Sequence, residues 1–426
     1  MKKAFVVILF SLTFLLAKAQ VDDNYFLHDN YKAVAGIDLN YELSSNSLST
    51  KFQNTYLFGS HIDSLSKQWL YANLKPDNRL GADIGGGLSF ITYPDTLFGW
   101  TNMGLFVKYN RYYHLDMTFT RDLARLFFDG NQYFAGKNAI LDNSMLNLVS
   151  YDQIQIGILS KFESGKFKHT YGFGISLNNG YNNVIVDLNK GNIYTDKNAE
   201  YINFAANYDV SRSDTSRKKL NMFKGVGSSV NLYYSFETPK KNTLVFQLTD
   251  LGYIRWNNNS QQFSKDTAVH FEGLDVTDPL NINGNVFGKT TTDSLQHAFT
   301  YAGKPKAYYT ATPAVLSVSY LCNFSEKFRT ELSLRKKFFS NYDPLYMLKL
   351  QLLPNKKNLL SLNLSYGGYC STDLLENHQL NAGLELMHQF GKSLVVLLGS
   401  NYLNGFIWPY SLTSQGVFFS IKKYFF

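Results

Sequence analysis

Three sets of residues have the types to do chemistry: a Gly-Lys-Ser step, the scattered histidines and serines, and charges placed on alternating segments. Gly391-Lys392-Ser393 has the composition that closes a phosphate-binding loop. Such a loop needs a glycine five residues before Gly391, where Leu386 stands, and a helix after it, where residues 394–398 run on as an apolar strand. The step therefore reads as a hairpin turn. The eight histidines show no paired spacing suited to a metal, and His114, His169 and His388 each stand alone on an alternating segment. A Ser-His-Asp or Ser-His-Asn hydrolase would need its three members on one face, and no serine is singled out as the nucleophile. No enzymatic activity, metal or cofactor is expected.

The charges are more informative. Arg329, Glu331, Arg335, Lys349, Gln351 and Gln155 all fall on the polar side of segments whose other side is apolar. They are candidates to line the inside of a barrel, either as a selectivity or ligand-contact patch or as mutually paired charges that stiffen a filled lumen. A second candidate device is residues 121–129, where Leu123, Leu126 and Phe127 fall at helical spacing. Thr120 can cap the start and Gly130 can take the left-handed position at the end. This short amphipathic helix could gate or plug a lumen, or cover an open end by packing against loop aromatics.

The elements that must position these residues are strands. Leu360, Leu362, Leu364 and Tyr366 alternate with Ser361, Asn363, Ser365 and Gly367, and Leu380, Ala382, Leu384 and Leu386 alternate with Gln379, Asn381, Gly383 and Glu385. A period of two with one apolar face must set that face against something dry. The device recurs near residues 33–43, 83–92, 104–118, 153–159, 171–177, 226–236, 243–256, 307–322, 327–338, 345–353, 358–369, 379–390, 393–402 and 415–426. That predicts an all-β, transmembrane antiparallel barrel of about 14 strands, within an even range of about 12 to 16. Short turns alternate with longer loops. A further helix is expected between Asp63 and Leu74, a hairpin reaching past the membrane within residues 178–221, and a long surface loop over residues 263–305. A soluble sandwich would carry its charges outward, whereas only a wet interior explains apolar faces this long.

Residues 1–19 read as a signal peptide, with Lys2 and Lys3, an apolar run from Ala4 to Ala17 and a small-residue cleavage site, leaving residues 20–426 as one barrel domain. No later run of about 18 apolar residues offers a membrane helix. The formal charge of +8 falls to +5 when Lys2, Lys3 and Lys18 leave, and the remaining basic residues are scattered, so no nucleic-acid partner is expected. With only two cysteines no disulfide framework exists, and Cys322 and Cys370, at opposite ends of their strands, are expected to stay unpaired. The chain holds 30 tyrosines and 34 phenylalanines against 9 prolines, a balance that suits long strands with aromatic belts. Localisation in the outer membrane follows, with membrane lipid and the outer-membrane assembly machinery, which reads a terminal residue such as Phe426, as partners.

Residues 121–131 (ArgAspLeuAlaArgLeuPhePheAspGlyAsn) and 249–256 (ThrAspLeuGlyTyrIleArgTrp) resemble recurrent stretches of an uncharacterised family of Bacteroidota outer-membrane barrels, a domain of unknown function. The architecture is also similar to fatty-acid-transporter-type barrels and to the barrel subunits of type IX secretion. The resemblance implies location and fold and carries over no catalytic or ligand residue. Two functions remain open: passage or presentation of small amphipathic or hydrophobic molecules, or a non-catalytic structural role with a secretion-system protein as partner.

Overall fold

A residue pair on a strand sends one side chain to each face, so a closed ring of alternating strands sorts its residues into an inside and an outside. In the computed structural model, which describes residues 31–59, 61–97, 99–198, 200–216, 223–272, 305–370, 380–410 and 412–426, that sorting runs opposite to the order in a soluble protein. Ile154, Ile156 and Ile158 are exposed while Gln153 and Gln155 between them are buried, and the same inversion separates exposed Leu360 and Leu362 from buried Ser361 and Asn363. The dry medium lies outside. No described helix is long and apolar enough to cross a membrane.

Among the described residues the strands are β1 (Ala33–Ser45), β2 (Asp77–Thr92), β3 (Met103–Thr120), β4 (Lys137–Ile140), β5 (Ser144–Ser164), β6 (Phe167–Thr195), β7 (Ile202–Arg212), β8 (Gly225–Glu237), β9 (Thr243–Trp256), β10 (Gln261–Phe271), β11 (Tyr309–Ala311), β12 (Val315–Asn323), β13 (Phe328–Lys337), β14 (Leu345–Asn355), β15 (Asn358–Tyr366), β16 (Asn381–Phe390), β17 (Leu394–Ser400) and β18 (Ser414–Phe425). All belong to one sheet. The ladder runs β1, β2, β3, β5, β6, β8, β9, β12 and then in order to β18, which pairs antiparallel with β1 from Ala33↔Phe425 to Ser44↔Ser414. Fourteen strands therefore close a barrel with no free edge in its wall, as lipid demands. Turns at residues 93–102, 165–166, 238–242, 324–327, 356–357 and 391–393 lie at one end, the turn end. The longer connections lie at the other, the loop end.

Three strands outside the ring, β4, β7 and β10, and the short β11 in line with β12, correct the sequence reading. The upper half of β6 leaves the wall and pairs with β7, which pairs with β10, and β4 joins the opposite edge of that projection. Residues 261–271, expected largely as loop, are thus strand, while residues 273–304 of that expected loop lie outside the described residues, as do the expected signal peptide and residues 217–222 of the expected hairpin. The single strand expected over residues 307–322 is split, because Pro313 has no N–H to give the ladder.

Four helices among the described residues cover the loop end: α1 (Thr50–Leu57), α2 (Ser64–Asn73), α3 (Arg121–Asp129) and α4 (Leu403–Ile407). Asp63 accepts from the Ser66 N–H at 2.6 Å, which starts α2 where the sequence places it. Thr120 does the same for α3 through Leu123, and Gly130 ends it at φ 74°. After Gly130 the expected loop instead forms a 3₁₀ turn (Asn131–Phe134) and β4. Helices α1 and α4 have no counterpart in the sequence reading.

Cys322 and Cys370 are both free thiols. Alkylation of the unfolded, unreduced protein is expected to add two alkyl groups, read by mass spectrometry, and a linked Cys322–Cys370 peptide would contradict the strand directions of this barrel.

Candidate functional site

The interior of the barrel is shaped first by glycines. A Cβ on Gly157 or Gly174 would stand 2.2 and 2.9 Å from the Phe106 ring, one on Gly180 or Gly225 would stand 2.5 and 2.7 Å from Trp256, and one on Gly399 would stand 2.4 Å from Phe418. Each missing side chain gives its place to an aromatic ring from a strand one or two places along the wall. At the turn end Val34, Leu359, Met387, Val395, Leu397 and Tyr424 form an apolar cluster. Above it the lining turns polar, and a cavity of about 170 Å³ remains at the centre.

A charged belt surrounds this chamber. Lys337, on β13, is the hub: its ammonium bonds Asp83 of β2, stands 3.9 Å from Glu42 of β1, and lies over the rings of Tyr342 at 4.2 Å and Tyr369 at 5.3 Å. Asp83 also holds Nδ1 of His114 at 2.8 Å. Glu42 accepts from the Tyr402 hydroxyl at 3.0 Å and faces Arg335 at 4.0 Å. Across the chamber Lys349 of β14 stands between Glu331, 4.0 Å, and Glu385 of β16, 3.5 Å. Gln351 donates to Glu331 at 3.4 Å and accepts from Arg329.

A second knot sits on β8, β9 and β5. Asp250 has φ 60° at a bulge where the β8–β9 register shifts. Its carboxylate accepts from Gln153 at 2.6 Å and Tyr112 at 3.1 Å, and its N–H donates to Asn231 at 2.9 Å.

All six polar residues singled out from the sequence point inward. Arg329, Glu331, Arg335, Lys349 and Gln351 are brought together on β13 and β14, where Glu331 faces Lys349 and Arg329 faces Gln351 in register. Gln155 lies apart on β5, one inward position below Gln153. The sequence reading missed Glu42, Asp83, Lys337, Glu385 and Asp250. The parity that marked Arg335 marks Lys337 as well, and the Ser361-Asn363 series faces Glu385 across β15–β16, so the signal was available for two of them.

The helix is not a plug. Leu123 and Leu126 pack on Phe134, Ala139 and Leu141, Phe127 is exposed and edge-on to Tyr56, and Gly130 ends the helix; none of the four lines the chamber. Its apolar face found partners among the loops, which cost less than burying it in a polar lumen. Tyr71 of α2 donates to Asp129, and the Arg125 guanidinium lies 3.5 Å above the Tyr71 ring, fastening α3 to α2. Burial, and then the acceptor Asp129, push the Tyr71 phenol up to about 12. At the loop end Tyr402 lines the chamber, and Tyr342 and Tyr369, from two other loops and edge-on to each other at 5.0 Å, cover the Lys337 ammonium. Burial, and then the Glu42 carboxylate, hold the phenols of Tyr342 and Tyr402 well above the ordinary range, so both remain protonated. Among the described residues no group of three His, Cys, Asp or Glu side chains is placed to hold a metal.

A family of unknown function (DUF5723) matches residues 27–398. No curated protein matches the chain. Among solved structures, the toluene transporter TodX of P. putida is 9% identical over 94% of this chain and 91% of its own, with a TM-score of 0.41. A FadL homologue of Pseudomonas aeruginosa is 9% identical over 92% and 90%, TM-score 0.45, and the toluene transporter TbuX of Ralstonia pickettii 6% over 93% and 90%, TM-score 0.34.

Removing Lys337 would leave the part-buried Asp83 without its cation and buried Glu42 with Arg335 alone at 4.0 Å, a loss of up to about 3–5 kcal/mol for a broken buried pair. Lys337→Met is expected to lower the temperature at which the folded band disappears on a gel, and adding Asp83→Asn to restore part of the loss. Unchanged melting in the single variant would show that the belt contributes no stability.

Proposed function

The chain belongs to the family of unknown function that matches residues 27–398, which brings no activity with it, and we propose from the barrel itself that the protein sits in the outer membrane and passes or presents small amphipathic molecules. One observation carries the reading: the centre of the ring is an unfilled chamber lined by charges of both signs and tyrosine rings, although glycine-for-ring exchange elsewhere in the lumen packs it shut. At about 170 Å³ the chamber is smaller than the roughly 300 Å³ of a pocket for a drug-sized ligand, so this is a closed state and passage requires the loop-end tyrosines to move. The outward apolar residues of β5, β6 and β13–β15 supply the lipid contacts, and assembly machinery would insert the barrel.

A second reading has its own support. The sheet formed by β4, the upper half of β6, β7 and β10 stands outside the ring and is not needed to close it. It is a platform suited to a protein partner, as a secretion-system role would require.

Planar-bilayer recording separates the two. Replacing Tyr342 and Tyr369 together by Ala is expected to raise the conductance of the reconstituted barrel severalfold over the unaltered protein, while deletion of α3 alone leaves it unchanged. Persistent electrical silence in a Tyr342→Ala, Tyr369→Ala barrel that still shows the heat-dependent gel shift would end the passage reading in favour of the partner role.

A further inference from the structure

We infer that the chamber is a binding site for a small organic cation, with the Glu385 carboxylate as its counter-ion; this rests on the passage reading and names the charge that the passing molecule carries. Glu385 lines the chamber and is 1% exposed, yet neither of its oxygens accepts a hydrogen bond. A buried carboxylate has given up its water, and without hydrogen-bond donors in return that loss is offset only by its ionic neighbour. Its ionic neighbour Lys349 stands 3.5 Å away and is shared with Glu331 at 4.0 Å.

The neighbouring positions give this carboxylate no donor. Ser361, its partner in register on β15, gives its hydroxyl to Asn363 at 2.7 Å, and Asn363 gives its amide to Asn401 at 3.2 Å. Gly399, its partner on β17, has no side chain, and the Phe418 ring occupies that space. The charge balance has the same sign: the chamber is lined by five carboxylates, Asp250 included, against the cations of Arg335, Lys337 and Lys349. Arg329 lies one inward position toward the turn end and is engaged with Gln351. Tyr112, Tyr151, Tyr402 and Phe418 add aromatic rings to the lining, and rings attract a cation whose own surface is apolar. The volume sets the size, and a trimethylammonium or short-chain ammonium group matches the chemistry.

Equilibrium dialysis of labelled choline against the full chain in detergent micelles, in excess potassium chloride, tests the assignment. Saturable binding is expected, weakened roughly tenfold by Glu385→Gln, the order of one lost charge pair. Lys349→Met removes the competing cation and is expected to tighten binding severalfold, so the two variants move in opposite directions. The heat-dependent gel shift establishes that each variant is folded. Absence of saturable binding, its loss in potassium chloride, or equal binding by both variants would overturn the inference. Conductance is scored separately: a barrel that conducts without binding choline sinks this inference alone, and one that binds choline but stays silent sinks the passage reading.

Discussion

The pairing of β1 with β18 is the constraint on which the rest of the structure depends. An open sheet in lipid would leave two rows of backbone N–H and C=O groups without partners, each costing several kcal/mol, so the first and last described strands must meet. Once fourteen strands close, the ring's diameter is set, and the space inside is larger than apolar side chains on one wall can fill from each side. The chain meets this by putting glycines where nearby rings need room and charges around the central chamber. The inversion of burial between Gln153 and Ile154, or Ser361 and Leu360, is a consequence of closure.

The charged belt is poor evidence for stability in itself, since replacing a buried ion pair with well-packed apolar groups is often neutral or better. Its use is geometric. Lys337 holds strands β13, β1 and β2 through Asp83 and Glu42, and its ammonium also sits beneath Tyr342 and Tyr369, so the wall and these loop-end rings share one hub. Rings and belt are therefore coupled: a movement of the two rings removes favourable contacts from the cation that neutralises two carboxylates.

Much of this was legible because a strand's period is local. Each alternating run announces its own faces, and α2 and α3 announce their caps in Asp63, Thr120 and Gly130. What was not legible depends on distant parts of the chain. Helix α1 begins at Ser49 but is held by bonds from Thr50 to Leu412 and from Lys51 to Pro409, some 360 residues on. Asp83 and Lys337 meet across 254 residues, a separation that no spacing rule reaches. The fate of β6 is a third case: its upper half alternates as well as its lower half, and only the ladder partners show that one half leaves the ring.

The stretch 249–256, one of the two that carry the family resemblance, has an architectural explanation. Asp250 takes φ 60°, a conformation that Asp tolerates better than most residues, and its carboxylate is held by Gln153 and Tyr112. Gly252 follows because a Cβ there would stand 2.0 Å from the Ser228 carbonyl oxygen across the bulge. Ile254 and Trp256 are fully buried, the ring of Trp256 fills the space left by Gly180 and Gly225, and its N–H donates to Thr310 at 2.9 Å. Thr312 donates its N–H to Gly252 at 3.0 Å and its hydroxyl to the Asp250 carbonyl. The stretch is thus a fastening at the loop end of β9, where β11 and β12 divide around Pro313 and the wall is interrupted. A bulge placed at such a break supplies the extra twist and the side-chain anchor that the missing ladder bond cannot, which explains why these residue types sit together without any of them needing to touch a ligand.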